Sequence, residues 1–183
     1  MILRDLLERS DYQCTQRDVN VEISTLVYDS RKIEEGSVFV CISGAAFDGH
    51  QFAAQAAEKG AAAIVIEKDV QVPETLTVIR VENTRLALAE MSAAYFGYPA
   101  EELTTIGITG TKGKTTITYM IRQVLEHAGQ KTGLIGTIET IIGDGRIPSV
   151  NTTPESYVVQ ESFRKMADAG CKNVVMEVSS QGL

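Results

Sequence analysis

The stretch that decides the fold is TTIGITGTKGKTTITYMIRQVL, Thr104 to Leu125. Thr104 to Thr109 alternates, with Ile106 and Ile108 pointing one way, which predicts a buried strand. Ile117, Met120, Ile121, Val124 and Leu125 recur at i, i+3, i+4, i+7 and i+8. That spacing predicts a helix with an apolar stripe laid against a sheet. Between the two lies the turn Gly110-Thr111-Lys112-Gly113-Lys114-Thr115-Thr116. The common phosphate-loop spacing, G-x-x-x-x-G-K-[ST], asks for glycine at position 108. Ile108 stands there instead, so the strand runs closer to the loop and Gly110 supplies the turn.

The turn still meets the physical needs of an anion cradle. Gly110 and Gly113 allow backbone angles that other residues resist. The N–H groups of Thr111 through Lys114 can form a concave nest, and the helix start adds partial positive charge. Lys114 can reach outer phosphates, and the Thr115 hydroxyl can bind Mg²⁺. The plain alternative is a glycine-rich strand-to-helix turn with no ligand. Glu177 ends the apolar run VVMEV. Ligands of open α/β sheets lie beyond the carboxyl ends of the strands. A carboxylate there can meet a metal held at Thr115; the plain alternative is a solvent-facing acid at a strand end.

Working outward, strands and helices alternate. Ile2, Leu3, Leu6 and Leu7 have helical spacing. ISTLVYDSR is a strand entering a polar turn, and Gly36 turns the chain into a strand at Val38, Phe39, Val40 and Ile42. DGHQFAAQAAEKG is a helix stopped at Gly60, followed by a strand. Leu76 to Val81 is a strand, and its following helix is capped by Asn83 and ends near Gly97 and Pro99. KTGLIGT is a strand, and IETIIGDGRIPSV is a hairpin turning at Gly143-Asp144-Gly145. TPESYVVQESFRKMADAG is a helix with Pro154 in its first turn and Val159, Phe163 and Met166 on one face. CKNVVMEVSS is a last strand. The alternation predicts α/β layers with parallel or mixed sheets in both halves, divided at Pro99 to Glu102.

Bulk properties narrow the function classes. The 183 residues carry 17 basic and 24 acidic side chains, a net charge of -7. An acidic chain lacks the cationic surface that general nucleic-acid binding needs. Cys14, Cys41 and Cys171 are far apart and form no CxxC pair, so neither a disulfide scaffold nor a zinc knuckle is expected. Cys41 and Cys171 are expected to be buried thiols. The start, MILRDLLERSDYQ, lacks the apolar core of a secretory signal. No apolar run is long enough to span a bilayer. A cytoplasmic protein without membrane insertion is the default expectation.

TGTKGKTT, NTTPES and EVSSQGL together resemble the Mur ligases, which build the peptide of bacterial cell-wall precursors. YDSRKIEEGSVFVCISG, FDGHQF and AAEKGAAAIVIE are similar to the nucleotide-sugar domain of the branch that adds the third amino acid. These strings span nearly the whole chain. The resemblance implies an N-terminal α/β nucleotide-sugar domain over 1–100. It also implies the first part of a P-loop, Rossmann-like central ATPase domain over 101–183. The implied activity is an ATP- and Mg²⁺-dependent amide ligase. It would phosphorylate the free carboxylate of UDP-N-acetylmuramoyl-L-alanyl-D-glutamate. The amine of a diamino acid, lysine or meso-diaminopimelate, would then attack the acyl phosphate.

The same resemblance puts Tyr28 and Ser30 near the uridine, and Asn151, Thr152, Thr153 and Ser179 near the muramoyl-peptide. The plain alternatives are a turn at Asp29-Ser30-Arg31 and a helix cap at Asn151-Thr152-Thr153. Ala45-Ala46-Phe47 leaves only backbone or stacking contacts to uridine. Lys112 replaces the asparagine commonest in the family's loop, adding charge near the phosphates or pointing to solvent. His50 fits a helix start, and His127 a helix-end dipole; neither is needed for the chemistry.

EVSSQGL follows a strand with no return helix. The resemblance implies further ATPase elements, a carbamylated lysine and an amino-acid-selecting domain past Leu183, so a fragment inactive by itself is expected. Two other readings remain open. One is a folate- or cyanophycin-type amide ligase, against which the Asp29-Ser30-Arg31 half argues. The other is a P-loop nucleotide-binding module without ligase chemistry. The amino acid added and the oligomeric state are not legible.

Overall fold

The computed structural model describes residues 1–44 and 48–179. The chain divides into two compact units, Met1–Tyr95 and Phe96–Leu183. Ala45-Ala46-Phe47 and the last four residues of EVSSQGL lie outside the described residues.

The first unit contains α1 (Leu3–Leu6), β1 (Gln13–Gln16), β2 (Leu26–Val27), β3 (Val38–Val40), α2 (Ala53–Glu58), β4 (Ala63–Ile66), β5 (Thr77–Arg80) and α3 (Thr84–Tyr95). Its sheet has the order β1-β5-β4-β3-β2. β2 to β5 run parallel, with Phe39 opposite Ile64 and Ile64 opposite Val78. β3 and β4 are buried along their whole length. That is why their sequences are unbroken apolar runs rather than alternations. Phe39 sits in a core with Ile64, Ile66 and Val78, closed by Ala53 and Ala56 of α2. The small alanine face lets the helix lie close on the strands. Asn83 caps α3 as expected, its Oδ1 accepting from the N–H groups of Arg85 and Leu86 at 2.9 and 3.0 Å.

β1 is an element that the pattern did not reveal. Its residues are mostly exposed, and it pairs antiparallel with β5, Gln13 opposite Arg80. Polar side chains hold this edge strand. Gln16 Nε2 donates to the carbonyls of Pro73 and Leu76 at 2.8 and 2.7 Å. A strand made by cross-chain polar contacts leaves no hydrophobic period to read.

The second unit contains β6 (Thr104–Ile108), α4 (Lys114–His127), β7 (Thr132–Ile135), β8 (Glu139–Ile142), β9 (Gly145–Pro148), α5 (Ser156–Asp168) and β10 (Asn173–Glu177). Its sheet has the order β6-β10-β7-β8-β9, and β6 is not the buried strand expected, because it forms the edge of this sheet with only exposed and half-buried residues. β6, β10 and β7 are parallel, with Glu177 opposite Ile108 and Met176 opposite Ile135. β7, β8 and β9 are antiparallel. Both sheets are therefore mixed, within the expected α/β class. The hairpin turn is tighter than expected: Gly145 already pairs with Ile142, which leaves Gly143 and Asp144 as the turn. Pro154 is not in the first turn of α5. The helix begins at Ser156 and is capped by Glu155. Phe163 and Met166 are buried on the expected face, with Val159 packed against the same core.

The helix after the glycine turn differs from expectation in orientation. Ile117, Met120 and Val124 are 44%, 61% and 68% exposed while Ile121 and Leu125 are half-buried, so most of this stripe faces away from the sheet. The inward face is polar. Thr118 is buried and its hydroxyl donates to the Thr115 carbonyl at 2.8 Å. Arg122 Nε donates to the Thr132 carbonyl at 3.0 Å, and Glu126 accepts from the Thr132 N–H at 2.8 Å. Residues 115, 118, 119, 122 and 126 also follow helical spacing, so two stripes competed and saturated polar contacts took the sheet side. Val124→Glu is accordingly expected to change unfolding free energy by less than about 0.5 kcal/mol in urea titration. A loss well above 1 kcal/mol would mean that Val124 is packed.

Candidate functional site

In the second unit the parallel strands β6, β10 and β7 end side by side. Their carboxyl ends deliver three segments to one place: the turn 109–113, the pair Gly136-Thr137, and Val178-Ser179. Gly110 has φ 147° and Gly113 has φ 80°. A Cβ at Gly113 would meet its nearest atom only at 3.9 Å, so backbone angle rather than space requires glycine there. Gly113 starts α4 without a side-chain cap, so the helix's first N–H groups face outward from the sheet end. Lys114 Nζ donates to the Gly110 carbonyl at 2.9 Å, bridging the loop's two ends. Thr111, Lys112 and Thr116 are exposed.

Glu177 is the hub. It is 1% exposed. Its Oε2 accepts from the hydroxyls of Thr115 and Thr137, each at 3.0 Å. Its Oε1 accepts from the Thr137 N–H at 2.9 Å. Among the described residues no cation pairs with it. These three donors on two oxygens leave the carboxylate acceptor capacity to spare. Gly136 makes room for this group, since a Cβ there would lie 2.6 Å from Glu177 Oε1.

The 151–153 loop is tied to the same strand end. Thr153 Oγ1 donates to the Glu177 carbonyl at 3.1 Å and accepts from the Ser179 N–H at 2.9 Å. Thr152 Oγ1 lies 3.1 Å from Thr137 Oγ1. Asn151 is exposed. None of these three caps α5, which removes the helix-cap alternative. The structure thus brings together Thr115, Glu177, Thr152, Thr153 and Ser179, which are dispersed in sequence. Gly136 and Thr137 were missed. Their signal, a glycine and a hydroxyl ending a strand, carries meaning only once β7 is known to neighbour β10.

Tyr28 and Ser30 belong to the first unit and follow β2. Asp29 caps a short 3₁₀ turn, Ser30–Lys32, accepting from the Arg31 N–H at 3.0 Å. Arg31 also pairs with the Asp29 carboxylate at 2.7 Å and, chiefly through that hydrogen bond, lowers its pKa to about 2. Asp29 and Arg31 therefore satisfy each other and shape the turn. Among the described residues the half-buried Ser30 hydroxyl makes no hydrogen bond, while the Ser30 carbonyl accepts from Lys59 at 3.1 Å.

His50 is more than a helix start. It is buried in a 3₁₀ turn, Gly49–Phe52, with Nδ1 2.6 Å from Asp48 and Nε2 accepting from the Glu67 N–H at 3.1 Å. An accepting Nε2 puts the proton on Nδ1 and leaves the ring neutral. Lys68, then His50, hold the Asp48 carboxyl well below the usual range. Burial works to raise the Glu67 pKa, but bonds from Ser43 and Thr84 outweigh it and leave it lowered. Cys41 and Cys171 are buried as expected, and burial pushes the Cys41 thiol up to about 12. Among the described residues no helix is long and apolar enough to cross a membrane. Among those residues no group of three or more His, Cys, Asp or Glu could hold a metal.

A glycine loop at a parallel sheet's carboxyl end, backed by a buried carboxylate, is a nucleotide-site architecture. Residues 22–96 match the Mur ligase family catalytic domain, and residues 108–183 match the Mur ligase middle domain. The chain belongs to the Mur ligase family. A relative in Clostridium perfringens (strain 13 / Type A), named UDP-N-acetylmuramoyl-L-alanyl-D-glutamate--2,6-diaminopimelate ligase, is 49% identical over 183 residues, covering 100% of this chain and 38% of the relative. The chain thus spans less than half the length of that curated relative. A solved structure of a ligase of that same name has a TM-score of 0.76 at 22% identity, over 100% of this chain and 36% of that one. MurF ligase from Thermotoga maritima, in complex with ADP, has a TM-score of 0.54 at 23% identity, over 85% of this chain and 32% of that one. At these identities the two structures speak for the fold.

Proposed function

We propose that this chain supplies the nucleotide loop and part of the muramoyl-substrate surface of an ATP-dependent ligase. That ligase joins a diamino acid to UDP-N-acetylmuramoyl-L-alanyl-D-glutamate in peptidoglycan precursor synthesis. The carrying observation is the 3.0 Å contact between Thr115 and the buried Glu177 beside Lys114 at the start of α4. The names of the relatives favour 2,6-diaminopimelate over lysine as the amino acid.

The donor set fits Mg²⁺. A hydroxyl and a carboxylate are hard oxygen ligands, and Mg²⁺ completes its shell with water and substrate phosphates. Thr115 and Glu177 would hold it, and bound Mg²⁺ would neutralise charge on the transferring phosphoryl group. Lys114 would leave the Gly110 carbonyl for the outer phosphates, and the N–H groups from Thr111 to Thr116 would face the phosphate oxygens. In the overall reaction the substrate's free carboxylate attacks the γ-phosphorus of ATP and ADP leaves. The amine then attacks the acyl carbon, phosphate leaves and a proton is released. Asn151, Thr152, Thr153 and Ser179 would position the muramoyl-peptide, and Tyr28 and Ser30 the uridine end, their hydroxyls and amide matching polar ligand groups.

Titration of the chain with UDP-N-acetylmuramoyl-L-Ala-D-Glu tests this reading. Ser30→Ala is expected to weaken binding about three- to tenfold, the worth of one hydrogen bond. A wild-type chain that binds ATP and ignores every UDP-muramoyl ligand would sink the reading and leave a plain nucleotide-binding module.

A further inference from the structure

The hydroxyl of Thr137 has two neighbours and one proton. Its Oγ1 lies 3.0 Å from Glu177 Oε2 and 3.1 Å from Thr152 Oγ1. Thr137 Oγ1 donates to Glu177 Oε2. The same hydroxyl also stands in donating position to Thr152 Oγ1, so its one proton is shared between Glu177 and Thr152. The Thr115 proton is committed to Glu177 at 3.0 Å. One buried carboxylate therefore accepts from two hydroxyls, and one of these also reaches the hydroxyl of Thr152 on the 151–153 loop. Thr115 is left with oxygen lone pairs for a cation, and Thr152 keeps its own proton for a ligand acceptor. The Thr137 N–H grips the other oxygen, Oε1, at 2.9 Å. Among the described residues Thr137 alone thus touches both oxygens of the carboxylate and also the 151–153 loop.

We propose that Thr137 is a positioning residue that aims Glu177 at the cation seat and couples that seat to the muramoyl-peptide loop through Thr152. This rests on the ligase reading above and adds to it a link between the two substrate sites. Cation binding at Thr115 leaves the Thr115–Glu177 bond in place, because metal and proton use different positions on the oxygen. Glu177 turns only if the clasp from Thr137 opens, so the two sites share one hydrogen-bonded hub.

The test uses calorimetric titration of the full chain with ATP, in Mg²⁺ and in EDTA, and with UDP-N-acetylmuramoyl-L-Ala-D-Glu, with and without Mg·ATP. Thr137→Val keeps the backbone grip and nearly the same shape but removes the hydroxyl. It is expected to reduce the Mg²⁺ enhancement of ATP affinity about tenfold, to leave ATP affinity in EDTA unchanged, and to abolish the effect of Mg·ATP on the muramoyl ligand. Thr137→Ser is expected to restore all three to within about threefold of wild type. Thr152→Val cuts the outer link only. It is expected to abolish the effect of Mg·ATP on the muramoyl ligand while keeping the Mg²⁺ enhancement, and it carries the test should Thr137→Val fail to fold.

A Thr137→Val chain with undiminished Mg²⁺ enhancement, or a Thr152→Val chain with intact coupling, overturns the proposal while the ligase reading stands. A wild-type chain whose ATP affinity ignores Mg²⁺ overturns both.

Discussion

Lys114→Ala is expected to weaken ATP binding by at least about thirtyfold, about 2 kcal/mol, the range for a lost charge-assisted hydrogen bond. Lys114 bridges to the Gly110 carbonyl across the glycine turn at 2.9 Å, at the first position of α4. Its ammonium thus already lies against the loop that the proposed function assigns to the phosphates. Removing it leaves the helix start and the backbone nest, which hold phosphate by partial charges alone. Lys112 is exposed and provides the control. Lys112→Ala is expected to stay within about threefold of wild type, because an exposed charge is largely screened. Isothermal titration in Mg²⁺ measures both. Equal losses in the two variants would mean that the loop attracts phosphate by general charge and that Lys114 has no special seat.

Phe39→Ala is expected to cost about 3–5 kcal/mol of unfolding free energy. Phe39 is 1% exposed, in the middle of the fully buried β3, against Ile64, Ile66 and Val78. The strands on either side of β3 are held by parallel ladders, so the hole cannot close without breaking backbone pairing. A domain's total stability is about 5–15 kcal/mol, so the variant lies near the limit of folding. Urea unfolding followed by circular dichroism measures the loss. The chain has no tryptophan to report instead. A loss under about 1.5 kcal/mol would show that the alanine face of α2 collapses into the space.

The alternation of strands and helices was legible because continuous apolar runs and glycine stops mark buried parallel strands and helix ends. The hairpin, the Asn83 cap and the burial of Cys41 and Cys171 followed from local residue chemistry. The face presented by α4 did not follow. Hydrophobic period locates a stripe, and Thr118, Arg122 and Glu126 form a second stripe whose value depends on carbonyls and N–H groups of a distant strand. β1 was missed for the same reason, being held by Gln16 reaching across 57 and 60 residues.

What the sequence by itself determined is the local chemistry: a glycine turn able to accept a phosphate, the helix behind it, and the residue strings of the Mur ligases. Each depends on neighbours along the chain, where backbone angles and short motifs are written directly. What only the tertiary structure decided is the convergence on Glu177. Thr115 is 62 residues away from it and Thr137 is 40. Strand order alone brings β6, β10 and β7 together, and a single buried carboxylate then accepts from hydroxyls on two of the segments beside it. Sheet order and the convergence of hydrogen bonds are properties of space, so Gly136 and Thr137 acquire their meaning only in the fold.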